Sequence, residues 1–376
     1  MRIAIDIRPV LSKRTGVGNY LYHLLLTLSR IDYANEYRLF SSSLKDRIPE
    51  ELRRLPQRYQ ISDFRIPVRI MNALWQRFRF PPIELFTGRA DIVYSPHPFI
   101  PPSAGPKRIV TVHDLYFLRH PEWSSGEVAK HFIPFVRKSL GKADAVVASS
   151  LSTKKDCMEC CGIEEAKITV VHLGIDRSFF SSPSHSETNR AKKKYGIPGE
   201  FILSVGTMEP RKNHVRLLHA FQGVHERHPG LALVIAGSQG PSTETILRTI
   251  DALGLRGSVI LAGYVEEREL KALYRAGLML AFPSLYEGFG FPVLEAMACG
   301  TPVLASNRTS IPEIAGDAAL LVDPEDTDEI REGMRKLVEE KDLAACCSTK
   351  GIARAEAFTW EKTAGSLLTL FRRVGS

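Results

Sequence analysis

The segment from Ser284 to Glu295 constrains this chain more than any other, and it reads Ser-Leu-Tyr-Glu-Gly-Phe-Gly-Phe-Pro-Val-Leu-Glu. The apolar run before it, residues 277–283, predicts a buried strand. Residues 293–299 predict a helix, with a proline near its start and a glycine just past its end. The segment therefore predicts a strand, a glycine-bearing loop and a helix. Glu287 falls in the loop, and Glu295 falls in the first two turns of the helix.

This layout favours an anionic ligand that carries hydroxyl groups. Backbone N–H groups of residues 288–291 can point at a phosphate, and the helix dipole adds partial positive charge. Gly288 and Gly290 have no Cβ, so a ligand can approach the backbone closely. Glu287 and Glu295 can accept hydrogen bonds from the vicinal hydroxyls of a sugar and a ribose. The alternative is a surface glutamate and a helix-start glutamate that only complements the dipole.

The two glutamates, with Gly-Phe-Gly-Phe-Pro between them, resemble the signature of the retaining glycosyltransferases of family four, which have the GT-B fold. Residues 296–306 and 311–316 are similar to the same family. The resemblance implies an α/β chain with two Rossmann-like domains that face a cleft. It also implies that Glu287 contacts the transferred sugar and that Glu295 holds the ribose.

Domain boundaries are expected near a polar stretch in the middle of the chain. Residues 181–194 are the best linker candidate, because they are polar and contain a proline and a solvated lysine run. Residues 1–180 are then an acceptor-binding Rossmann-like domain, and residues 195–360 bind the nucleotide-sugar. In the resembled fold the last helix crosses back, so residues 361–376 are expected to pack on the first domain.

The first half opens with a predicted strand, residues 3–7, a loop of residues 15–19 and a helix from residue 20. Gly16 and Gly18 alone are a weak signal, because the third glycine of a dinucleotide fingerprint is missing. The resemblance places this loop over the donor phosphates and the acceptor.

His113 directly follows a predicted strand, residues 107–112, whose neighbour is residues 90–95. The carboxyl ends of such strands meet at the ligand-binding edge of an open α/β sheet. The resemblance places His113 beside the transferred sugar. The alternative is a structural histidine at a strand end.

The second half repeats the strand, loop and helix pattern with two cations in the loop, Arg211 and Lys212. Arginine offers a planar fork and lysine a point charge, and the two together suit a diphosphate. The surrounding Glu-Pro-Arg-Lys-Asn resembles the phosphate-binding loop of the family. One residue departs from that pattern: Thr207 stands where many members have arginine.

The resemblance assigns each site residue a role. His113, Glu287, Arg211 and Lys212 are the expected catalytic residues, with the two cations stabilising the departing diphosphate. The expected donor-binding residues are Gly16, Gly18, Gly206, Arg211, Lys212, Tyr264, Val265, Glu287, Gly288, Phe289, Gly290, Phe291 and Glu295. No metal is expected, because the cations already neutralise the phosphate charge. The Asp-Thr-Asp of residues 326–328 is interpreted as a helix cap, and the six cysteines as ordinary thiols.

The positive charge is concentrated in the first half of the chain. Residues 1–180 carry 27 Lys and Arg against 18 Asp and Glu, whereas residues 181–376 carry 23 against 24. This asymmetry suggests an anionic acceptor or a peripheral contact with an anionic membrane. Residues 64–85, where arginines and aromatic residues alternate, favour a helix packed on the sheet over a membrane-surface segment. No nucleic-acid motif is present.

The sequence thus predicts a glycosyltransferase that moves a hexose with retained anomeric configuration. The expected donor is GDP-mannose, and the expected acceptor is a saccharide or a lipid-linked saccharide in polysaccharide assembly. UDP- and ADP-sugars are alternative donors, and a non-catalytic nucleotide-sugar-binding protein is an alternative function. The N-terminus does not resemble a signal peptide, so a cytoplasmic protein is expected.

Overall fold

A computed structural model describes residues 1–11, 16–124 and 132–376 of the chain. It divides the chain into two α/β units. The first unit contains Met1–Gly174 and Thr359–Ser376, and the second contains Ile175–Phe358. Each unit is built on a sheet of parallel strands, so the expected α/β class is confirmed.

The first unit has a seven-stranded parallel sheet in the order β3-β2-β1-β4-β5-β6-β7. Its strands are β1 (Arg2–Asp6), β2 (Glu36–Ser42), β3 (Tyr59–Phe64), β4 (Ile92–Ser95), β5 (Lys107–Val112), β6 (Ala145–Ala148) and β7 (Ile168–Val170). Central strands such as β4 and β6 are buried along their whole length. Helices cover both faces of a parallel sheet, which explains why these strands read as short continuous apolar runs.

The helices that precede Gly174 in the first unit vary widely in length. They are α1 (Gly16–Ile31), α2 (Glu50–Arg53), α3 (Val68–Ala73), α4 (Glu84–Thr87), α5 (Tyr116–Arg119), α6 (Ile133–Leu140) and α7 (Leu151–Cys161), with a π-helical turn at Leu74–Phe78. Three cysteines, Cys157, Cys160 and Cys161, lie on α7 as free thiols.

The expected loop at residues 15–19 is corrected, because Gly16 and Gly18 lie in the first turn of α1. Thr15 lies outside the described residues. The first helical N–H groups need no partner four residues earlier, so glycine is tolerated there more easily than in a helix interior.

The second unit has a six-stranded parallel sheet in the order β10-β9-β8-β11-β12-β13. Its strands are β8 (Phe201–Val205), β9 (Ala232–Ala236), β10 (Val259–Gly263), β11 (Met279–Phe282), β12 (Val303–Ser306) and β13 (Leu320–Val322). Its helices are α8 (His185–Lys194), α9 (His214–Arg227), α10 (Thr243–Ala252), α11 (Glu267–Ala276), α12 (Phe291–Ala298), α13 (Ile311–Ala315), α14 (Thr327–Glu339) and α15 (Lys341–Ala355). The predicted cap at Asp326 is confirmed, since its carboxylate accepts from the N–H groups of Asp328 and Glu329.

The expected linker at residues 181–194 is also corrected, because most of it is helix α8 of the second unit. Ser184 and Glu187 form a capping box: the Glu187 N–H donates to the Ser184 hydroxyl, and the Ser184 N–H donates to the Glu187 carboxylate. The boundary falls earlier, at Gly174. Phe179 is buried in the second unit, where the Cys299 thiol donates to its carbonyl.

The last helix, α16 (Trp360–Gly375), belongs to the first unit and packs on α1. Its Trp360 ring stacks on His23 with centroids 5.2 Å apart. The Thr363 hydroxyl donates to the His172 carbonyl at 2.8 Å. Within the described ranges, no helix is both long enough and apolar enough to cross a bilayer.

Candidate functional site

The two loops singled out in the second half of the sequence meet at the carboxyl edge of the second sheet. The sheet order changes direction at β8, which pairs with β11 although the strands are far apart in sequence. Ligands bind at this position in open α/β sheets. The Leu285 N–H donates to the Arg211 carbonyl at 2.8 Å, so the loop after β11 is tied to the loop after β8.

The centre of this site is a buried ionic cluster of three residues. The Lys212 ammonium donates to one oxygen of Glu287 at 2.6 Å, and the Arg211 guanidinium donates to the other oxygen at 3.1 Å. Lys212 and Glu287 are 8% and 7% exposed. Arg211 also donates to Glu209 at 2.8 Å, so four charged side chains are concentrated beside the two strand ends.

The charges of this cluster shift the pKa values of Glu287 and Lys212. Burial alone would raise the pKa of the Glu287 carboxyl, but the charges of Lys212 and Arg211 outweigh it and lower that pKa. Burial lowers the pKa of the Lys212 ammonium, and the attraction of Glu287 offsets only part of the effect. Glu287 is therefore ionised at neutral pH, and it lies between two donors that could also serve a phosphate.

Backbone geometry positions the Lys212 side chain. Gly206 has a φ of +150°, and a Cβ on it would lie 2.9 Å from Cε of Lys212. The absence of a side chain at Gly206 thus leaves room for the lysine stem. Phe282 covers the other side, with its ring centroid 4.8 Å from the Lys212 ammonium. Asn213 closes the loop with φ of +60° and donates to the carbonyls of Pro283 and Pro324 at 2.9 and 2.7 Å.

Two residues that the sequence did not single out hold the loop containing Glu287. The Thr309 hydroxyl accepts from the Glu287 N–H at 3.1 Å. The Ser310 hydroxyl contacts the carbonyls of Glu287 and Phe289 at 2.9 and 3.0 Å. Both follow β12, the neighbour of β11. Their adjacency depends on sheet order, so no local pattern reveals it.

Helix α12 begins at Phe291, one residue after Gly290, which has a φ of +105° and no side chain to cap the helix. A Cβ on Gly290 would lie 2.6 Å from Cδ1 of Ile311, so both φ and space favour glycine. Gly288 and Phe289 complete the turn between Glu287 and the helix, as the sequence predicted.

Glu295 lies one turn into α12 and is half-buried. The hydroxyl of Tyr274, on α11, donates to its carboxylate at 2.8 Å. Burial raises the pKa of Glu295 to about 7, although this hydrogen bond works in the opposite direction. Tyr274 was not predicted. The tyrosine is 21 positions away in sequence and meets the carboxylate only because α11 and α12 pack together.

Tyr264 and Val265 follow β10, at the outer end of the same sheet. Tyr264 is 56% exposed, whereas Val265 is 8% exposed. Their role in holding the base stays a prediction.

His113 lies in the first unit, directly after β5, and its Nε2 lies 2.9 Å from the Pro96 carbonyl. A carbonyl can only accept, so Nε2 carries the proton and Nδ1 is an acceptor. Burial lowers the pKa of His113 to about 4. Its ring contacts Tyr20, on the same helix as Gly16 and Gly18, with centroids 4.8 Å apart.

No group of three or more His, Cys, Asp or Glu side chains is placed to hold a metal ion, as far as residues 1–11, 16–124 and 132–376 show. The ionic cluster itself offers fixed charges and hydrogen-bonding groups. Two cations can bind a diphosphate, and two carboxylates can accept from hydroxyl groups.

The fold defines a structural class of protein, the chains with the GT-B fold. A solved structure of sucrose-phosphate synthase from Thermosynechococcus elongatus superposes with a TM-score of 0.77 at 19% identity. The match covers 99% of this chain and 98% of that one. The expected GT-B fold is thereby confirmed.

The chain belongs to the group 1 glycosyltransferases of family four. Residues 186–354 match the model described as Glycosyl transferases group 1, and residues 14–179 match the model described as Glycosyltransferase Family 4.

Two curated relatives from Escherichia coli are mannosyltransferases. O-antigen chain mannosyltransferase B is 27% identical over 99% of this chain and 100% of its own length. The serotype-specific mannosyltransferase WbdA is 33% identical over 78% of this chain, which corresponds to 36% of WbdA. This chain thus spans the whole of the first relative and about a third of the second.

Proposed function

We propose that this glycosyltransferase transfers mannose from GDP-mannose to a saccharide or lipid-linked saccharide, with retention of the anomeric configuration. The mannosyltransferase names of the relatives support the choice of sugar. The observation that carries the proposal is the buried cluster of Arg211, Lys212 and Glu287 at the carboxyl edge of the second sheet. UDP- and ADP-sugars are the competing donors.

In the proposed reaction an acceptor hydroxyl attacks the anomeric carbon of the donor on the face from which the diphosphate leaves, so the configuration is retained. A double displacement through a carboxylate is the competing route. The bond from that carbon to the diphosphate oxygen breaks, and the diphosphate takes the hydroxyl proton and leaves as the nucleoside diphosphate. Lys212 and Arg211 stabilise the charge that develops on the diphosphate, as fixed cations do in a partly dry site. No metal is required for this neutralisation.

The remaining site residues hold the two substrates in place. Glu287 accepts from sugar hydroxyls, and Glu295 accepts from the ribose. Gly206 leaves room for Lys212 beside the diphosphate, and residues 288–291 provide backbone N–H groups at the start of α12. Tyr264 and Val265 contact the base.

The first unit supplies the acceptor side of the reaction in this proposal. His113 contacts the transferred sugar through Nδ1, which can accept from a hydroxyl. Gly16 and Gly18, in the first turn of α1, leave room for the acceptor and the phosphates. The excess of cations in residues 1–180 suits an anionic acceptor.

The donor can be identified by thermal-shift measurements on the purified chain with GDP-mannose, UDP-glucose, UDP-N-acetylglucosamine and ADP-glucose. A ligand that binds only the folded state raises the melting temperature by mass action. We expect the largest shift with GDP-mannose. A shift with a uridine or adenosine nucleotide-sugar alone would mean that this nucleotide-sugar, and not GDP-mannose, is the donor. No shift with any of the four ligands would favour a protein of another function.

Turnover tests the catalytic part of the proposal. Mannose-terminated oligosaccharides are incubated with the donor, and the anomeric configuration of the product is read by NMR. Lys212→Ala should lower kcat at least about a hundredfold, as loss of a charge-stabilising donor does elsewhere. Lys193→Ala, which removes an exposed cation from the same unit, is the matched control. Equal turnover by Lys212→Ala and the wild type would contradict the phosphate role.

A further inference from the structure

The arginine-rich stretch between β3 and β4 has a buried side and an exposed side. On the buried side, Met71 and Trp75 are 0% and 1% exposed, and the Trp75 indole donates to the Pro81 carbonyl at 2.9 Å. This side is the packed helix that the sequence favoured. On the exposed side, Phe78 and Phe80 are 65% and 60% exposed. Large aromatic rings that lie so far out of the core need an explanation of their own.

Cations adjoin these two rings, and the Arg77 guanidinium lies 5.9 Å from the centroid of the Phe78 ring. Arg77 and Arg79 alternate with them in sequence, and Arg79 has a left-handed backbone with φ of +52° that ends the π-helical turn. Lys142 lies in the segment after α6, close to Arg79. Repulsion by the Arg79 guanidinium is the largest of the causes that lower the pKa of Lys142, and burial and repulsion by Lys138 add to it. Like charges are thus brought together from two separate elements.

These cations are not balanced by nearby carboxylates. Across the part of the chain that the structure describes, Arg77, Arg79, Lys138 and Lys142 have no carboxylate at ion-pair distance. Residues 65–89 contain five arginines and a single acidic residue, Glu84. One Glu84 oxygen accepts from the Ala104 N–H at 2.8 Å. The surface therefore offers uncompensated positive charge around exposed aromatic rings.

We propose that Arg77, Phe78, Arg79, Phe80, Lys138 and Lys142, which we name the Phe78–Phe80 patch, dock the first unit on the surface of an anionic phospholipid bilayer. Aromatic rings insert at the boundary between headgroups and acyl chains, and cations beside them attract anionic headgroups. The charge of the patch is complementary to such a surface. This inference does not depend on the proposed function, because vesicle binding is measured without donor or acceptor.

Co-sedimentation of the full chain with vesicles tests the docking. One set of vesicles contains equal parts of phosphatidylglycerol and phosphatidylcholine, and the other contains phosphatidylcholine alone. We expect binding to the anionic vesicles only, and we expect salt to weaken it because salt screens exposed charges. Equal binding to both sets, or binding to neither, would overturn the proposal.

Variants assign the binding to the patch. Phe78→Ala/Phe80→Ala and Arg77→Ala/Arg79→Ala should each weaken binding to the anionic vesicles roughly tenfold or more. Tyr33→Ala removes another exposed aromatic ring of the first unit, and Lys192→Ala/Lys193→Ala removes two cations from the second unit. Both controls should bind as the wild type does. Wild-type binding by both patch variants would contradict the assignment to these residues. Unchanged melting temperatures show that the variants are folded.

Discussion

The ammonium of Lys212 and the carboxylate of Glu287 share a 2.6 Å hydrogen bond although 75 residues separate them in the sequence. The ammonium has three N–H donors, and Glu287 uses one of them. A diphosphate can therefore bind the same lysine without removing its carboxylate partner. The pair links the two loops that carry the candidate chemistry, so its integrity should affect both stability and turnover.

A double-mutant cycle should reveal strong coupling between these two residues. Lys212→Ala leaves the buried Glu287 with Arg211 as its remaining cation, and loss of one partner of a buried pair costs about 3 kcal/mol of unfolding free energy. Lys212→Ala/Glu287→Ala should lose less than the sum of the single variants, by about 1 kcal/mol or more. Chemical denaturation measures the four free energies. Strictly additive losses would show that the pair is not coupled.

Gly206→Ala should displace the Lys212 side chain. The new Cβ would lie 2.9 Å from Cε of Lys212, and φ of +150° is unfavourable for alanine. We expect a loss of about 1–3 kcal/mol in unfolding free energy, together with slower turnover. Gly199→Ala is the matched control before β8, because its Cβ meets only an ordinary contact at 3.6 Å. Similar melting temperatures for both variants would contradict the packing argument.

Glu295 should make the protein less stable as the pH rises. Its pKa is about 7 in the folded chain, against an ordinary value of 4.5. Between these values the folded state keeps a proton that the unfolded state has released, so stability falls from about pH 4.5 to about pH 7 and is then constant. Glu295→Gln should remove this dependence.

The size of the Glu295 effect is bounded by the shift in pKa. At about 1.4 kcal/mol for each pKa unit, Glu295→Gln gains at most about 3.5 kcal/mol above pH 7, and less where solvent reaches the carboxylate. Melting curves at several pH values measure it. Glu266→Gln, at an exposed position before α11, is the control. A Glu295→Gln variant with the pH profile of the wild type would refute the assignment.

His214→Leu should stabilise the chain, most of all in mild acid. His214 is 2% exposed, and both ring nitrogens lack a hydrogen-bond partner among the residues the structure describes. Burial lowers its pKa to about 4 from 6.5, so the unfolded state gains a proton first as the pH falls, and stability is lost across that window.

The expected gain for His214→Leu is about 1–2 kcal/mol near neutral pH, the cost of a buried polar group without a partner. The gain should increase as the pH falls from about 6.5 towards 4. His219 is exposed on the same helix, so His219→Leu should change the free energy of unfolding little. Thermal denaturation of the three proteins is sufficient, and a loss of stability in His214→Leu would indicate that the ring nitrogens have a partner.

Local sequence signals predicted the strands, loops and helices around the candidate site. The glycines and the proline between β11 and α12 mark the loop, and the apolar run before them marks the strand. The two glutamates lie in the elements that the sequence predicted, Glu287 in the loop and Glu295 in the helix. Family resemblance then gave each residue a role, which experiments on ligand binding must test.

Contacts that depend on sheet order could not be predicted in the same way. Thr309, Ser310 and Tyr274 reach the two glutamates from other elements of the second unit. The helix at residues 185–194 was interpreted as a linker because its polar composition outweighed its capping box. A serine followed three residues later by a glutamate was the signal that could have corrected it.

In the sequence, the whole second unit lies between the two segments of the first. On the ribosome, Ile175–Phe358 emerges before α16 does, so the second unit can complete its core while the first still lacks a helix. During that interval the side of α1 that α16 covers, including His23 beneath Trp360, is open to other nascent chains and to chaperones. The order of synthesis therefore makes the N-terminal unit the later of the two to mature.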